Sequence, residues 1–171
     1  REFCRTRGLD PAGRLVFIHP GSGGSARNLS AGQYAALAHA LQGRHPFTLV
    51  VSAGPGEEEN AAQLAARLAP LAHTVYLSRE GLQRFARHIQ FADLFISGST
   101  GPLHIAGALD RPTAAFYTRR RSATALRWQT LNSPGRRLAF SPPEVAAEEN
   151  MESIDVIAAA DEISRSFLLN P

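Results

Sequence analysis

The sequence predicts an α/β fold in which helices cover both faces of a parallel sheet. Short apolar, β-branched runs alternate with segments of helical periodicity about five times along the chain. The strand-like runs are apolar throughout, a pattern typical of strands buried on both faces of a parallel sheet. Glycine-rich turns follow two of these runs. We therefore expect a three-layer α/β domain with a parallel sheet of about five to six strands.

The predicted elements follow one another in a regular order. The apolar run at residues 15–18 predicts the first strand, and Ser30 with Gln33 predicts a capping box that begins a helix ended by Gly43. Further strands are predicted at residues 47–51, 75–77, 94–96 and 113–117. Between them, helices are predicted from the acidic turn at residues 57–59, from apolar spacing over residues 82–89, and after residue 100.

The two ends and the region after residue 118 carry weaker signals. Residues 1–13 are polar and are predicted to be a lead-in or linker, and Arg119 to Arg137 a loop followed by a sixth strand at residues 138–140. A closing helix is predicted over residues 151–168 from its apolar positions, Ile154, Ile157, Ala158, Ile163 and Phe167. The whole chain, residues 1–171, is interpreted as a single domain.

Composition excludes several classes of function. All 18 basic residues are arginine, so neither a P-loop lysine nor a Schiff-base lysine is present. The net charge of +3 is mild, and the cluster Arg119–Arg121 lacks aromatic partners; it predicts a solvated face or an edge toward an anionic partner, not nucleic acid. The single cysteine, Cys4, allows no internal disulfide and favours a reducing compartment. No signal peptide or membrane span is visible, and the sequence begins with Arg1, as a piece of a longer chain would.

The stretch Ser97–His104 carries the strongest chemical signal. A buried strand ends there, turns through two glycines and small hydroxyls, and a helix begins, with Thr100 or Ser99 as its cap and Pro102 in its first turn. Such a turn directs backbone N–H groups and the helix dipole at one point, where a phosphate can bind. An ordinary capped helix would give the same pattern. His104, one turn into the helix, either binds a phosphate or packs against the sheet.

Other patterns argue against competing chemistries. The segment Gly21-x-Gly23-x-x-Ala26 matches the dinucleotide fingerprint, but no acidic residue follows before Glu57, so a nicotinamide or flavin enzyme is disfavoured. The six histidines lack metal-ligand spacing, and neither Ser22 nor Ser99 lies in a nucleophile elbow. The acidic turn at residues 57–59 is either a solvated helix start or a binder of ribose hydroxyls.

Three segments in order resemble the ADP-heptose lipopolysaccharide heptosyltransferases, glycosyltransferase family nine. Residues 19–30 are similar to the family's HPGSG turn, residues 54–59 supply the acidic turn, and residues 97–112 resemble the pattern S-x-D-T-G-x-x-H-x-A-x-A-L-x-x-P. The resemblance spans about residues 15–118. It implies the C-terminal, Rossmann-like domain of a GT-B glycosyltransferase, which binds the nucleotide-sugar donor.

The resemblance also implies an activity and its partners. The enzyme would transfer a heptose from ADP-heptose, or use a related nucleotide sugar, with no cofactor and no metal, and the acceptor would be the lipopolysaccharide inner core. The acceptor domain and the catalytic base belong to an N-terminal half that this chain lacks, so the chain alone is expected to be inactive, with no catalytic residue of its own. A cytoplasmic location with peripheral contact at the inner membrane is expected. The alternative is a non-catalytic nucleotide-binding or nucleotide-sugar-binding domain.

By position, the resemblance assigns the donor-binding residues. The phosphates would meet the first glycine-rich turn, Arg27 stands where the family has lysine, either Glu57 or Glu58 would hold the ribose, and Ser78 would flank the adenine. The full predicted set is Ser22, Gly23, Gly24, Arg27, Glu57, Glu58, Ser78, Ser99, Thr100, Gly101 and His104.

The chain departs from the family pattern at three places. Ser99 replaces the usual aspartate, Leu29 and Ser30 replace a Trp-Pro pair, and Thr118 leads into arginines where Gly-Pro-Thr is common. These departures bear on the donor sugar and on catalytic competence.

Overall fold

The fold is built on one fully parallel six-stranded sheet. The computed structural model describes residues 2–10, 12–22 and 27–169. The strands are β1 (Leu15–His19), β2 (Thr48–Ala53), β3 (His73–Leu77), β4 (Leu94–Gly98), β5 (Thr113–Phe116) and β6 (Arg137–Phe140). The helices are α1 (Glu2–Thr6), α2 (Ala31–Gln42), α3 (Glu58–Ala65), α4 (Leu82–Ile89), α5 (Gly101–Ala108), α6 (Ala125–Trp128) and α7 (Val156–Ile163).

The strand order is β3-β2-β1-β4-β5-β6, with every neighbouring pair parallel. This is the order of a doubly wound Rossmann sheet, and it reverses direction between β1 and β4. At that reversal His19 is paired with Ser97, so the turns that leave β1 and β4 start side by side. The observed sheet confirms the predicted fold class and strand number.

Two apolar cores lie on opposite faces of the sheet. Val16 and Ile18 face α2, α3 and α7, whereas Phe17 faces the side covered by α1, α4 and α5. The central strands β1 and β4 are buried along their whole length, which explains why their sequences are apolar at consecutive positions. At one edge of the sheet, β6 alternates between exposed and half-buried residues.

Local sequence signals set the helix starts. Ser30 caps α2 through the predicted capping box with Gln33, and Gly43 follows as its C-cap. Thr100 caps α5, and Pro102 lies in its first turn. The sequence allowed either Ser99 or Thr100 as the N-cap, and the structure shows that it is Thr100.

Three regions differ from their sequence-based expectation. Within the predicted lead-in, residues 2–6 form α1. The buried side chain of Cys4 packs into one of the cores and so anchors this otherwise polar segment. The predicted loop between β5 and β6 contains the short helix α6. The predicted closing helix is divided into a 3-10 turn (Met151–Ser153), α7 and a π-helical turn (Ser164–Leu168), and Asp155 caps α7.

Of the apolar positions that predicted the closing helix, Ile154 and Ile163 are buried, whereas Ile157 and Ala158 are exposed. The buried residues of α7 are Val156, Ala159, Ala160 and Ile163, whereas Ile157 is 48% exposed. This helix is apolar nearly all round, so periodicity alone could not select the face. Among the described residues no helix is long and apolar enough to cross a membrane.

Candidate functional site

A cavity of about 890 Å³ opens at the carboxyl ends of the strands. Its lining comes from the turns that follow β1, β2, β4 and β5, together with α6 and the irregular segment before Met151. Open α/β sheets bind ligands at this edge, where the strand order reverses. The lining residues are Ser22, Arg27, Glu57, Ser99, Thr100, Gly101, His104, Phe116, Tyr117, Thr118, Arg120, Ser122, Ala123, Trp128 and Glu149.

The N-terminus of α5 lines this cavity. The Thr100 hydroxyl accepts a hydrogen bond from the backbone N–H of Leu103 at 3.4 Å and lies 2.9 Å from the Ser97 hydroxyl. Gly101, the first residue of α5, also lines the cavity and is exposed. The unpaired N–H groups of a helix start and its dipole favour an anion at this point.

Glu57 is fixed on the side of the cavity next to β2. Its Oε2 atom lies 3.1 Å from Nε2 of His19 and accepts a hydrogen bond of 2.9 Å from the backbone N–H of Gly54. A side chain at Gly21 would collide with this carboxylate, since an added Cβ would lie 2.2 Å from the Glu57 Cδ. Glycine at this position therefore leaves room for the Glu57 side chain.

His19 orients Glu57 from within the core. The histidine is 1% exposed, its Nδ1 lies 3.2 Å from the Ser52 hydroxyl, and its ring stacks on Phe95. Ser52, His19 and Glu57 thus contact one another in series, as the residues of a hydrolase catalytic triad do. Ser52 is fully buried, however, and cannot reach a substrate, so the arrangement positions Glu57 and supplies no nucleophile.

Asn28 fixes the turn after β1 and lies against Gly98 at the end of β4. Its amide donates to the carbonyls of Pro20 and Gly21, and its Oδ1 accepts a 2.6 Å hydrogen bond from the Tyr34 hydroxyl. Burial raises the pKa of Tyr34, which keeps this donor neutral. Because an added Cβ at Gly98 would lie 2.6 Å from the Asn28 Oδ1, only glycine fits there. We refer to the linked residues as the buried network: His19, Gly21, Asn28, Ser52, Glu57 and Gly98.

The opposite side of the cavity is charged and exposed. Arg27 Nε lies 3.6 Å from one carboxylate oxygen of Glu149, and Arg120 Nη1 lies 3.5 Å from the other. Thr118, which follows β5 and is buried, also lines the cavity. We refer to Arg27, Thr118, Arg120 and Glu149 as the arginine cluster.

Aromatic residues close the end of the cavity next to α6. The Tyr117 hydroxyl donates to the Trp128 carbonyl at 3.0 Å, and burial raises the pKa of Tyr117 to about 12, so the phenol stays protonated near neutral pH. The His104 ring lies edge-on to Trp128 at 6.3 Å between centroids. His104 is therefore half-buried against an aromatic ring while lining the cavity.

Comparison with known proteins identifies the family. The model of glycosyltransferase family 9 (heptosyltransferase) matches residues 4–133. The chain belongs to glycosyltransferase family 9. A Haemophilus influenzae protein that carries the name of a glycosyltransferase is 42% identical over 158 residues, which are 92% of this chain and 46% of that protein.

Solved structures share the fold of this family 9 chain. The E. coli ADP-heptose lipopolysaccharide heptosyltransferase II has a TM-score of 0.77 at 18% identity, over 97% of this chain and 50% of that one. The E. coli heptosyltransferase WaaC, solved with ADP, has a TM-score of 0.71 at 19% identity, over 94% of this chain and 47% of that one. The family 9 chain thus spans about half the length of the relatives it matches.

The structure brings most of the predicted donor-binding residues together. Those that line the one cavity are Ser22, Arg27, Glu57, Ser99, Thr100, Gly101 and His104. Glu58 is exposed at the start of α3 and is not among the lining residues, so Glu57 is the one of these two that faces the cavity. Ser78 is buried after β3 and also lies outside the lining. Gly23 and Gly24 fall outside the described residues.

Sequence reasoning missed several residues of the site. His19 precedes the first glycine-rich turn, but nothing in the sequence linked it to Glu57, which lies 38 positions further along. Arg120 belongs to the arginine run that was interpreted as a solvated face or an edge toward an anionic partner. Trp128 and Glu149 lie in segments without periodicity, so no local signal could have placed them at the cavity.

A second cavity of about 900 Å³ lies at the opposite edge of the sheet, where the strands begin. Its lining includes Cys4, Arg14, His45, Asp93 and Leu168. None of the predicted donor-binding residues that the structure describes lines it. The convergence of separate predicted segments therefore favours the cavity at the carboxyl ends of the strands as the functional site.

Proposed function

We propose that this chain is the donor-binding half of a glycosyltransferase that transfers a heptose from ADP-heptose to the lipopolysaccharide inner core. One observation carries the proposal: residues from the first glycine-rich turn, the acidic turn and the Thr100 turn line a single cavity at the carboxyl ends of the strands. These are the segments whose sequences resemble the family motifs.

The chemistry of the cavity suits a nucleotide sugar. The N-terminus of α5 and the two arginines, Arg27 and Arg120, favour a diphosphate, and the Glu57 carboxylate can accept hydrogen bonds from ribose hydroxyls. A structural relative, WaaC, was solved with ADP. We propose that the donor binds here without a cofactor or metal, and that the enzyme acts in the cytoplasm at the inner membrane, where its acceptor lies.

Thermal unfolding with a panel of nucleotides tests the donor assignment. A ligand that binds only the folded state stabilises it, and at about 100 times its Kd the melting temperature should rise by roughly 5–10 °C. We expect this rise with ADP and ADP-heptose, and a smaller one with UDP and GDP at equal concentration. Equal shifts for all three nucleoside diphosphates would contradict an adenine-specific site, and no shift with any of them would refute nucleotide binding.

The chain alone should not transfer the sugar. The residues that resemble the family motifs belong to the donor half, and catalysis requires the donor and the acceptor to be held in one geometry. Incubation of this chain with ADP-heptose and purified core acceptor should therefore give no product. Turnover by the chain alone would show that it contains a complete active site.

Ser99 favours a second candidate, a non-catalytic domain that binds a nucleotide or nucleotide sugar. It lines the cavity at the position where the family usually has aspartate. The two candidates separate when this chain is joined to an acceptor half. Sugar transfer by the joined protein supports the enzyme, whereas donor binding without transfer, restored to transfer by Ser99→Asp, supports the non-catalytic domain.

A further inference from the structure

Glu149 occupies a position between two arginines that come from distant parts of the chain. Arg27 follows the first glycine-rich turn, and Arg120 follows β5, yet each guanidinium contacts a different oxygen of the same carboxylate, at 3.6 and 3.5 Å. All three residues line the cavity. Two guanidinium groups that converge on the oxygens of one anion form an arrangement that also fits a phosphate.

These ion pairs are exposed, so little free energy holds them together. The side chains of Arg27, Arg120 and Glu149 are 67%, 65% and 40% exposed. Exposed pairs are screened by water and salt and lose side-chain entropy when they form. A phosphate with greater charge and more acceptor oxygens than a carboxylate can therefore displace Glu149 from both arginines.

The segment that carries Glu149 is nevertheless held in place. The Arg119 guanidinium donates to the carbonyls of Pro143 and Ala146, and the Arg119 backbone N–H donates to the Glu148 carbonyl at 2.9 Å. Arg119 therefore fixes the segment to the end of β5, while its neighbour Arg120 extends into the cavity. The position of Glu149 beside the two arginines follows from this anchoring.

Thr118 provides a second observation that points to a ligand. The residue is 6% exposed and lines the same cavity, and its hydroxyl has no hydrogen-bond partner among the described residues. A buried hydroxyl without a partner is unfavourable, and native proteins rarely leave one. A ligand oxygen in the cavity would supply the missing partner.

We propose that Glu149 occupies the place of a ligand phosphate, and that Arg120 and Thr118 help to bind the diphosphate of the donor. On binding, phosphate oxygens replace the Glu149 carboxylate between Arg27 and Arg120, and the Thr118 hydroxyl donates to the ligand. Glu149 thus competes with the donor and lowers its affinity. The proposal rests on the proposed function for the identity of the ligand, but Arg120 and Glu149 lie outside the motifs that resemble the family.

Calorimetric titration with ADP and with inorganic pyrophosphate tests the roles of the two charges. We expect Arg120→Gln to weaken ADP binding at least about tenfold, because a charge-assisted hydrogen bond is lost. We expect Glu149→Gln to strengthen it about threefold, because the competing carboxylate is gone, with the gain shrinking at high salt. Neighbouring residues supply the controls: Arg121→Gln and Glu148→Gln make the same charge changes at exposed positions outside the lining and should leave both affinities within about twofold.

The outcomes separate this inference from the proposed function. If ADP binds and Arg120→Gln binds it equally well, or if Glu149→Gln weakens ADP, the inference is overturned while the donor site stands. If pyrophosphate binds with the expected order of variants but ADP is no tighter than pyrophosphate, the anion site stands and the nucleotide assignment fails. If neither ligand binds the wild type, the inference is overturned along with the proposed function.

Discussion

The two sides of the cavity are built in opposite ways. The buried network is fixed by hydrogen bonds and an ion pair with distances of 2.6 to 3.2 Å, and the shortest is the hydrogen bond from the Tyr34 hydroxyl to Asn28. In the arginine cluster, exposed ion pairs at 3.5 and 3.6 Å join Arg27, Arg120 and Glu149, which come from segments that lack regular structure. Rigid placement suits a group that must orient a ligand, whereas weak pairs suit charges that must exchange one anion for another. The difference predicts that a change in the packing of the buried network lowers the stability of the fold, whereas a change in the arginine cluster affects binding alone. Glu57 belongs to the buried network and also lines the cavity, so a change there can affect binding too.

The largest effect on stability is expected from Gly98→Ala. The new Cβ would lie 2.6 Å from the Asn28 Oδ1, so the amide that holds the turn after β1 must move. We expect a loss of about 1–3 kcal/mol in the free energy of unfolding, measured by urea denaturation. Gly32→Ala is the matched control, since it lies in α2 with only the Ser30 hydroxyl, at 3.8 Å, near the new Cβ; it should stabilise by roughly 0.5–1 kcal/mol. Equal free energies of unfolding for both variants would show that the contact between Asn28 and Gly98 does not stabilise the fold.

Arg27→Ala is expected to change binding without changing folding. The side chain is 67% exposed, so its loss should leave the free energy of unfolding nearly unchanged. The affinity for ADP should fall by on the order of 1–3 kcal/mol, as expected for a charged hydrogen bond, and the difference from wild type should shrink as salt is added. Unchanged ADP affinity in calorimetry would place Arg27 outside the site. It would also mean that residues 19–30 do not correspond to the family's HPGSG turn.

Glu57→Gln distinguishes the ribose contact from the phosphate contact. The amide keeps the size of the side chain but replaces one acceptor oxygen with a donor. ADP affinity should fall by about 1–2 kcal/mol, whereas pyrophosphate, which has no ribose, should bind as to the wild type. Glu58→Gln, on the adjacent exposed residue, is the control and should bind both ligands normally. Equal loss for ADP and pyrophosphate in Glu57→Gln would show that Glu57 acts on the phosphates instead.

The smallest effect is expected from Ser99→Asp. Aspartate restores a charged acceptor for sugar hydroxyls but repels the nearby diphosphate. ADP should therefore bind slightly more weakly, and the preference for ADP-heptose over ADP should rise by about threefold, less than 1 kcal/mol. A competition titration of the two ligands measures this ratio. A lower preference for ADP-heptose in the variant would mean that residue 99 does not face the sugar.

The same contrast explains how far the sequence could predict the molecule. The order of elements, the capping box at Ser30 and the capped start of α5 follow from local chemistry, and all three are present. The placement of Glu57 beside His19 depends on which strands are neighbours in the sheet. The sequence therefore indicated the acidic turn at residues 57–59 but not that Glu57 contacts His19. Glu149 reaches the cavity only because Arg119 anchors residues 143–148, a long-range contact that leaves no periodic trace in the sequence.

A crystal structure of the chain with ADP tests the central claim most directly. We expect the diphosphate between the N-terminus of α5 and the arginines of the arginine cluster, with the Glu149 carboxylate displaced and the ribose beside Glu57. The second cavity, at the opposite edge of the sheet near Arg14 and His45, provides the alternative location. ADP bound there, with the cavity at the carboxyl ends of the strands empty, would contradict the assignment of the donor site.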